Sequence, residues 1–157
     1  SEYHFSYILD NNFFEKYNLN QFTDSATSIQ IDLIKNTHLF NVKIVIETNL
    51  KVTCDRCCNN LNVAILEAFN HVIKQVNNPL EFSEFESEPE ITYVGFSDSE
   101  LIFDDTIAEY LHIAFPNSTL CNEYGFECNT DMLKLIDDMA PKITTSQPFA
   151  EKLNSLY

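Results

Sequence analysis

Along residues 40–54 apolar and polar positions trade places with a period of two. Phe40, Val42, Ile44, Ile46, Leu50, Val52 and Cys54 fall on one side, and Asn41, Lys43, Glu47, Asn49, Lys51 and Thr53 on the other. Successive side chains of a strand point to opposite faces, so this pattern predicts a β-strand with one face buried. The run is long for a single strand, and a bend or bulge is expected near Thr48-Asn49. Ahead of it, Ile29, Ile31 and Leu33 alternate with Gln30 and Asp32 up to a turn at Asn36-Thr37. The two segments are expected to pair as a long antiparallel hairpin. Residues 3–8 predict an earlier strand, and residues 11–17, with Phe13, Phe14 and Tyr17, a short helix after it.

Residues 61–76 carry two periods at once. Leu61, Val63 and Ile65 alternate, whereas Ile65, Phe69, Val72, Ile73 and Val76 have helical spacing, and the pattern alone leaves strand and helix both open. The acidic segment 77–90, with Pro79 and Pro89, predicts a loop, and Ile91-Thr92-Tyr93-Val94 a strand returning from it. Asp104 is expected to cap a helix with Ile107, Tyr110, Leu111 and Ala114 on its apolar face, Asp105 and Glu109 near its positive end, and Pro116 as its stop. A second helix is expected from Thr130 to Met139, burying Met132, Leu133, Leu135, Ile136 and Met139, and residues 148–156 add one or two further helical turns. Strands come mostly first and helices mostly last. The class is therefore α+β, an antiparallel sheet built on a long hairpin with C-terminal helices packed against it, in one domain spanning 1–157.

Charge sharpens this picture. Residues 1–74 hold eight acids and six bases, residues 134–157 three of each, and residues 75–133 thirteen acids with no lysine or arginine, within a net charge of −15. Affinity for nucleic acid comes largely from cations that neutralise phosphates, so such a surface repels RNA over most of its area and suits a basic partner protein. Solubility alone is also a sufficient reason for acids at 77–90. With 45% hydrophobic and 13% aromatic residues in 157, a packed core is expected without help from disulfides. No run of about eighteen apolar residues is present.

Five cysteines, an odd number, fit free thiols or metal ligands in a reducing, intracellular compartment. Cys54-Asp55-Arg56-Cys57 has the spacing at which one turn offers two thiolates to zinc, and Cys121 with Cys128 can supply two more, although six intervening residues make a loose second pair. Plain buried thiols remain the other reading, since Cys54 lies on the apolar side of its strand. A thioredoxin-like redox pair would need a strand before and a helix after it, which the pattern does not offer. His4, His38, His71 and His112 are scattered, only two residues are glycine, and no nucleophile or cofactor motif is present, so no enzyme is expected. A hydrolase using Asp104, Asp105 or Glu109 is the catalytic alternative and needs those carboxyls in a cleft.

Val52-Thr53-Cys54-Asp55-Arg56-Cys57 closes the long apolar strand, and about fifty residues on stands Ile102-Phe103-Asp104-Asp105-Thr106-Ile107-Ala108-Glu109-Tyr110-Leu111-His112-Ile113-Ala114-Phe115-Pro116. In this order and spacing the two motifs resemble the YceD family, associated with accumulation of large-subunit (23S) ribosomal RNA. The likeness runs from about residue 4 to 156, and Cys128 to Leu135 with Gln147 to Leu153 look like the tail of its Bacteroidetes-type members. It implies a non-catalytic factor of ribosome biogenesis, found in bacterial cytoplasm or in plastids, that binds a basic ribosomal or assembly protein or ribosomal RNA within a complex. It also favours strand at 61–76. One departure is that Gly125 stands where many members carry the middle cysteine of a Cys-x₃-Cys-x₂-Cys tail. Lys43, Lys51 and Arg56, on or near the polar face leading into the cysteine turn, are the candidates for contact with RNA, and Asp104, Asp105 and Glu109 for contact with a basic partner. A zinc-stabilised interaction module is the alternative function.

Overall fold

A computed structural model describes residues 1–83 and 90–140. Five strands form one sheet in the order β1-β2-β3-β4-β5: β1 Glu2–Leu9, β2 Thr27–Lys35, β3 Leu39–Thr53, β4 Asn60–Val76 and β5 Ile91–Gly95. Neighbours are antiparallel except β4 and β5, which run parallel from Val72↔Ile91 to Val76↔Gly95. The helices are α1 Asn11–Lys16, α2 Leu80–Ser83, α3 Asp104–Ala114 and α4 Thr130–Met139, with 3-10 turns at Asn20–Phe22 and Cys121–Tyr124. The α+β class is therefore established. No helix among the described residues is long and apolar enough to cross a membrane.

The alternation in β3 translates directly into burial. Phe40, Val42, Ile44, Ile46, Thr48 and Leu50 all turn inward, and their cross-strand partners Ile73, His71, Phe69 and Ile65 in β4 share that face. Ile29, Ile31 and Leu33 of β2 continue it. Thr48 is the one polar residue in the β3 stripe, and its hydroxyl meets Thr27 at 2.8 Å. The bulge expected near Thr48-Asn49 is not there: fifteen pairs run in unbroken register from Leu39↔Lys74 to Thr53↔Asn60. Residues 61–76 are strand. Their helical spacing came from Val72 and Val76, apolar residues on the outer face, read together with Ile65, Phe69 and Ile73 on the inner one.

The inner face is covered in two parts. Asp10 caps α1 by accepting from the Phe13 amide, and Phe14 of α1 stacks with Phe22 of the first 3-10 turn, both fully buried. Beside them α3 lays Ile107, Ala108, Tyr110 and Leu111 on β3 and β4. The Tyr110 ring stacks on Phe69 with centroids 4.3 Å apart, and its hydroxyl meets Nδ1 of the buried His71, whose Nε2 meets Thr92 of β5. Pro116 forces Phe115 into extended backbone and ends α3, as expected. Asp104, by contrast, is the first helical residue and not the cap, a position held by Phe103 with no side-chain bond.

α4 forms where expected, capped by Asn129, whose side chain accepts from the amides of Asp131 and Met132. Its apolar stripe is only partly used. Met132 and Leu133 rest against the core, whereas Leu135, Ile136 and Met139 stay exposed, because α4 meets the fold by its first turn alone. The acidic loop at 77–90 begins with the single helical turn of α2, and its residues 84–89 lie outside the described residues, as does the turn expected at 148–156.

Candidate metal centre

The longest strand pair ends in a six-residue connection, 54–59, that carries the Cys-x-x-Cys. The Cys54 amide donates to the Asn59 carbonyl at 2.8 Å, and the Cys58 amide returns to the Cys54 carbonyl at 2.9 Å. Cys58 takes a left-handed φ of 58°, which turns the chain back into β4. Cys54 and Cys57 point into the core, while Cys58 is exposed.

A second segment is bound to this tip from sixty-odd residues away. The Asp55 amide donates to the Thr119 carbonyl at 2.9 Å, the Thr119 amide donates to the Asp55 carboxylate at 2.7 Å, and the Thr119 hydroxyl donates to the Thr53 carbonyl at 2.8 Å. Cys121 follows two residues later and opens a 3-10 turn that ends on Gly125 at φ 78°, a conformation suited to glycine. The Phe126 amide closes back on the Cys121 carbonyl at 2.9 Å. This turn draws in the six-residue spacing that looked too loose in the sequence and delivers Cys128 to the same place. Gly125, read first as a missing ligand, shapes the loop.

The Sγ atoms of Cys54, Cys57, Cys121 and Cys128 all lie within 4.8 Å of one another, and Cys57 and Cys121 are 3.5 Å apart. These are free thiols, far longer than a disulfide at about 2.05 Å. In a tetrahedral site with zinc–sulfur distances of about 2.3 Å, the sulfurs stand about 3.8 Å apart, close to the spacing here.

Electrostatics divides the four into pairs. Cys54 is pulled down to about 6, first because the Cys57 amide donates to its sulfur, with the Arg56 and Cys121 amides adding to it against the opposing effect of burial. Burial pushes Cys57 up, but the amides of Asn129 and Asn59 and the Cys121 thiol outweigh it and hold this thiol low as well. Burial raises Cys121, and its three cysteine neighbours raise it further; Cys128 is also raised by burial and then by Cys57. Four sulfurs this close cannot all carry negative charge unaided. A divalent cation among them removes that obstacle and lets all four ionise. Donor type, number, spacing and amide support thus fit a thiophilic metal ion.

The other candidates are dispersed. Lys43 and Lys51 lie on the outer face of β3, eight residues and so about 27 Å apart, and Lys43 stands across from Asp32. Arg56 is exposed at the hairpin tip. The three do not make one basic patch. Asp104 and Asp105 sit together at the start of α3 and bond Lys16 Nζ at 3.2 Å and the Tyr17 hydroxyl at 2.8 Å, tying α3 to α1, while Glu109 is exposed. Pattern reading missed the Asp55–Thr119 clasp and the His71–Tyr110–Thr92 network, since nothing local distinguishes a threonine or histidine that finds its partner through the fold. No family model, no curated protein and no solved structure matches the chain.

Proposed function

We propose that this chain is a non-catalytic binding factor that supports accumulation of large-subunit (23S) ribosomal RNA, and that its four-cysteine cluster holds one structural zinc ion. The convergence of four sulfurs within 4.8 Å carries the metal assignment. Cys54, Cys57, Cys121 and Cys128 would be the ligands, and four protein ligands leave zinc no open position for a substrate, which is the pattern of structural sites. The ion would join the tip of β3–β4 to the segment after α3.

The ribosomal assignment rests on the resemblance to YceD, whose two motifs fall on the cysteine turn and on α3. The acid-only stretch favours a basic ribosomal or assembly protein as the direct partner. Bacterial cytoplasm, or a plastid, is the setting that resemblance implies.

Two measurements test the two halves separately. Elemental analysis of protein purified without chelator should find about one zinc per chain; metal-free protein with normal folding removes the zinc assignment. Affinity capture from the protein's own cell extract, with and without ribonuclease, should retain basic ribosomal or assembly proteins after RNA is digested. Loss of every ribosomal component, or retention that salt does not weaken, counts against the binding role.

A further inference from the structure

β1 is an edge strand whose outer side no described residue covers. Ser1 and Lys35 exchange backbone hydrogen bonds, at 2.7 and 3.2 Å, so in an antiparallel ladder Tyr3, Phe5, Tyr7 and Leu9 bond β2. The amides and carbonyls of Glu2, His4, Ser6 and Ile8 then face outward. The strand has eight residues without proline, lysine or bulge, the devices that ordinarily protect an edge.

Its side chains point the same way. Tyr3, Phe5 and Tyr7 share the inner face with Leu33, Ile31 and Ile29 and remain 45%, 42% and 50% exposed. The Phe5 and Tyr7 rings stack with centroids 6.5 Å apart. It runs into a cavity of about 370 Å³ lined by Tyr7, Leu9, Phe13, Leu101, Phe103 and Ile107. The surrounding charge is acidic. Asp104 lines the cavity, Asp10 and Glu100 neighbour Leu9 and Leu101 in the chain, and Glu2 stands on the outer face of β1, where Asp32 of β2 is already bonded to His4 at 2.7 Å. Lys16 is already bound to Asp104, and Lys35, at the other end, lies over the Phe40 ring.

We infer that β1 receives, as a sixth strand, an extended segment of a partner protein in which apolar residues alternate with lysine or arginine. Backbone pairing would come from the uncovered edge, apolar side chains would cover Tyr3, Phe5 and Tyr7, and cations would face Glu2 and the acids that rim the cavity, Glu100 and Asp104. The inference rests on the reading of the chain as a binder of basic protein and names the surface.

The test uses a fluorescent, capped Lys-Val repeat matched in length to the eight residues of β1. Binding followed by anisotropy should saturate at one peptide per chain and weaken with salt, and a Glu-Val repeat should not bind. Ser6→Pro removes an outward amide without touching the β1–β2 ladder and should weaken binding at least about tenfold with the unfolding midpoint unchanged. Independently of any change to the protein, N-methylation of one alternate set of peptide amides should block binding while the other set does not. Equal binding by the Glu-Val peptide, or no difference between the two methylated sets, overturns the inference. So does a dimer, seen by sedimentation, that Ser6→Pro dissolves, since the occupant is then a second copy. If Ser6→Pro still captures ribosomal proteins like the unaltered chain, this surface is wrong while the binding function stands.

Discussion

Replacing Tyr110 by phenylalanine keeps the ring on Phe69 and deletes one oxygen, which removes the hydrogen bond that ties α3 to the buried His71 together with a longer one, 3.5 Å, to the Asn70 carbonyl. The bond to His71 is 2.9 Å long, and both residues are nearly inaccessible, at 5% and 3% exposed. No water can replace the lost hydroxyl without opening the α3–β4 contact, so His71 Nδ1 is left unpaired in the core, a loss of about 1–3 kcal/mol. For a chain of this size that lowers the melting temperature by roughly 2–12 °C. The effect should be measured by urea unfolding at two pH values, because His71 also links stability to protons. Burial, against the pull of Glu90, holds this imidazole below its ordinary value. The unfolded chain takes up its proton near pH 6.5, so the stability that comes from a neutral His71 is complete above about pH 6.5 and declines as pH falls below it. His4 has the opposite sign, since its hydrogen bond to Asp32 raises it: its contribution is present below about pH 6.5 and disappears as pH rises through the raised value. Placing His4→Gln in every protein compared removes that opposing slope. In this background His71→Gln should flatten the acid side of the profile, whereas Tyr110→Phe should shift the profile down and keep its shape. A Tyr110→Phe cost below about 0.5 kcal/mol, or an acid slope that survives His71→Gln, would refute this account of how α3 is held.

Three other outcomes follow from the geometry. Cys121→Ser or Cys128→Ser should abolish stoichiometric zinc and the sulfur-to-cobalt absorption of the cobalt-substituted protein, whereas Cys58→Ser, exposed and outside the cluster, should leave both intact. Leu111→Ala, at a fully buried position under the sheet, should cost about 2–5 kcal/mol in chemical unfolding, and Leu135→Ala or Met139→Ala on the exposed side of α4 less than about 1 kcal/mol. Removing the Lys16–Asp104 tie with Lys16→Ala should leave the urea-unfolding midpoint where it is, because the pair is open to solvent and screened by it.

The strands were legible where one face alone is apolar. In β3 every inward residue except Ile44, which precedes the half-buried Val45, is followed by a polar outward one, and the burial follows that alternation. β4 was ambiguous for a physical reason: Glu67 interrupts the inner row while Val72 and Val76 are apolar on the outer face, so the period of two is broken and a helical spacing appears by coincidence. The expected bulge failed because chain length does not require one when the partner strand is equally long and in register. Amphipathicity misled at α4, where the stripe is real but the fold provides a surface for Met132 and Leu133 only. For the cysteines, residue type was visible and convergence was not. That depends on the Asp55–Thr119 clasp and on the left-handed turn at Gly125, both set by contacts across more than sixty residues or by a backbone angle that spacing does not encode.

The unbroken β3–β4 register has a consequence for how this chain can misfold. A long two-stranded ribbon with an apolar stripe has a natural competitor, the same ribbon displaced by one step, in which Leu61, Val63 and Ile65 would point to water. Cys54 and Cys57 flank the reversal, and their sulfurs meet those of Cys121 and Cys128 only when Thr53 faces Asn60. A metal ion held by all four sulfurs would therefore stabilise the native alignment over displaced ones, coupling the cysteine cluster to the register of a ribbon it touches only at the tip.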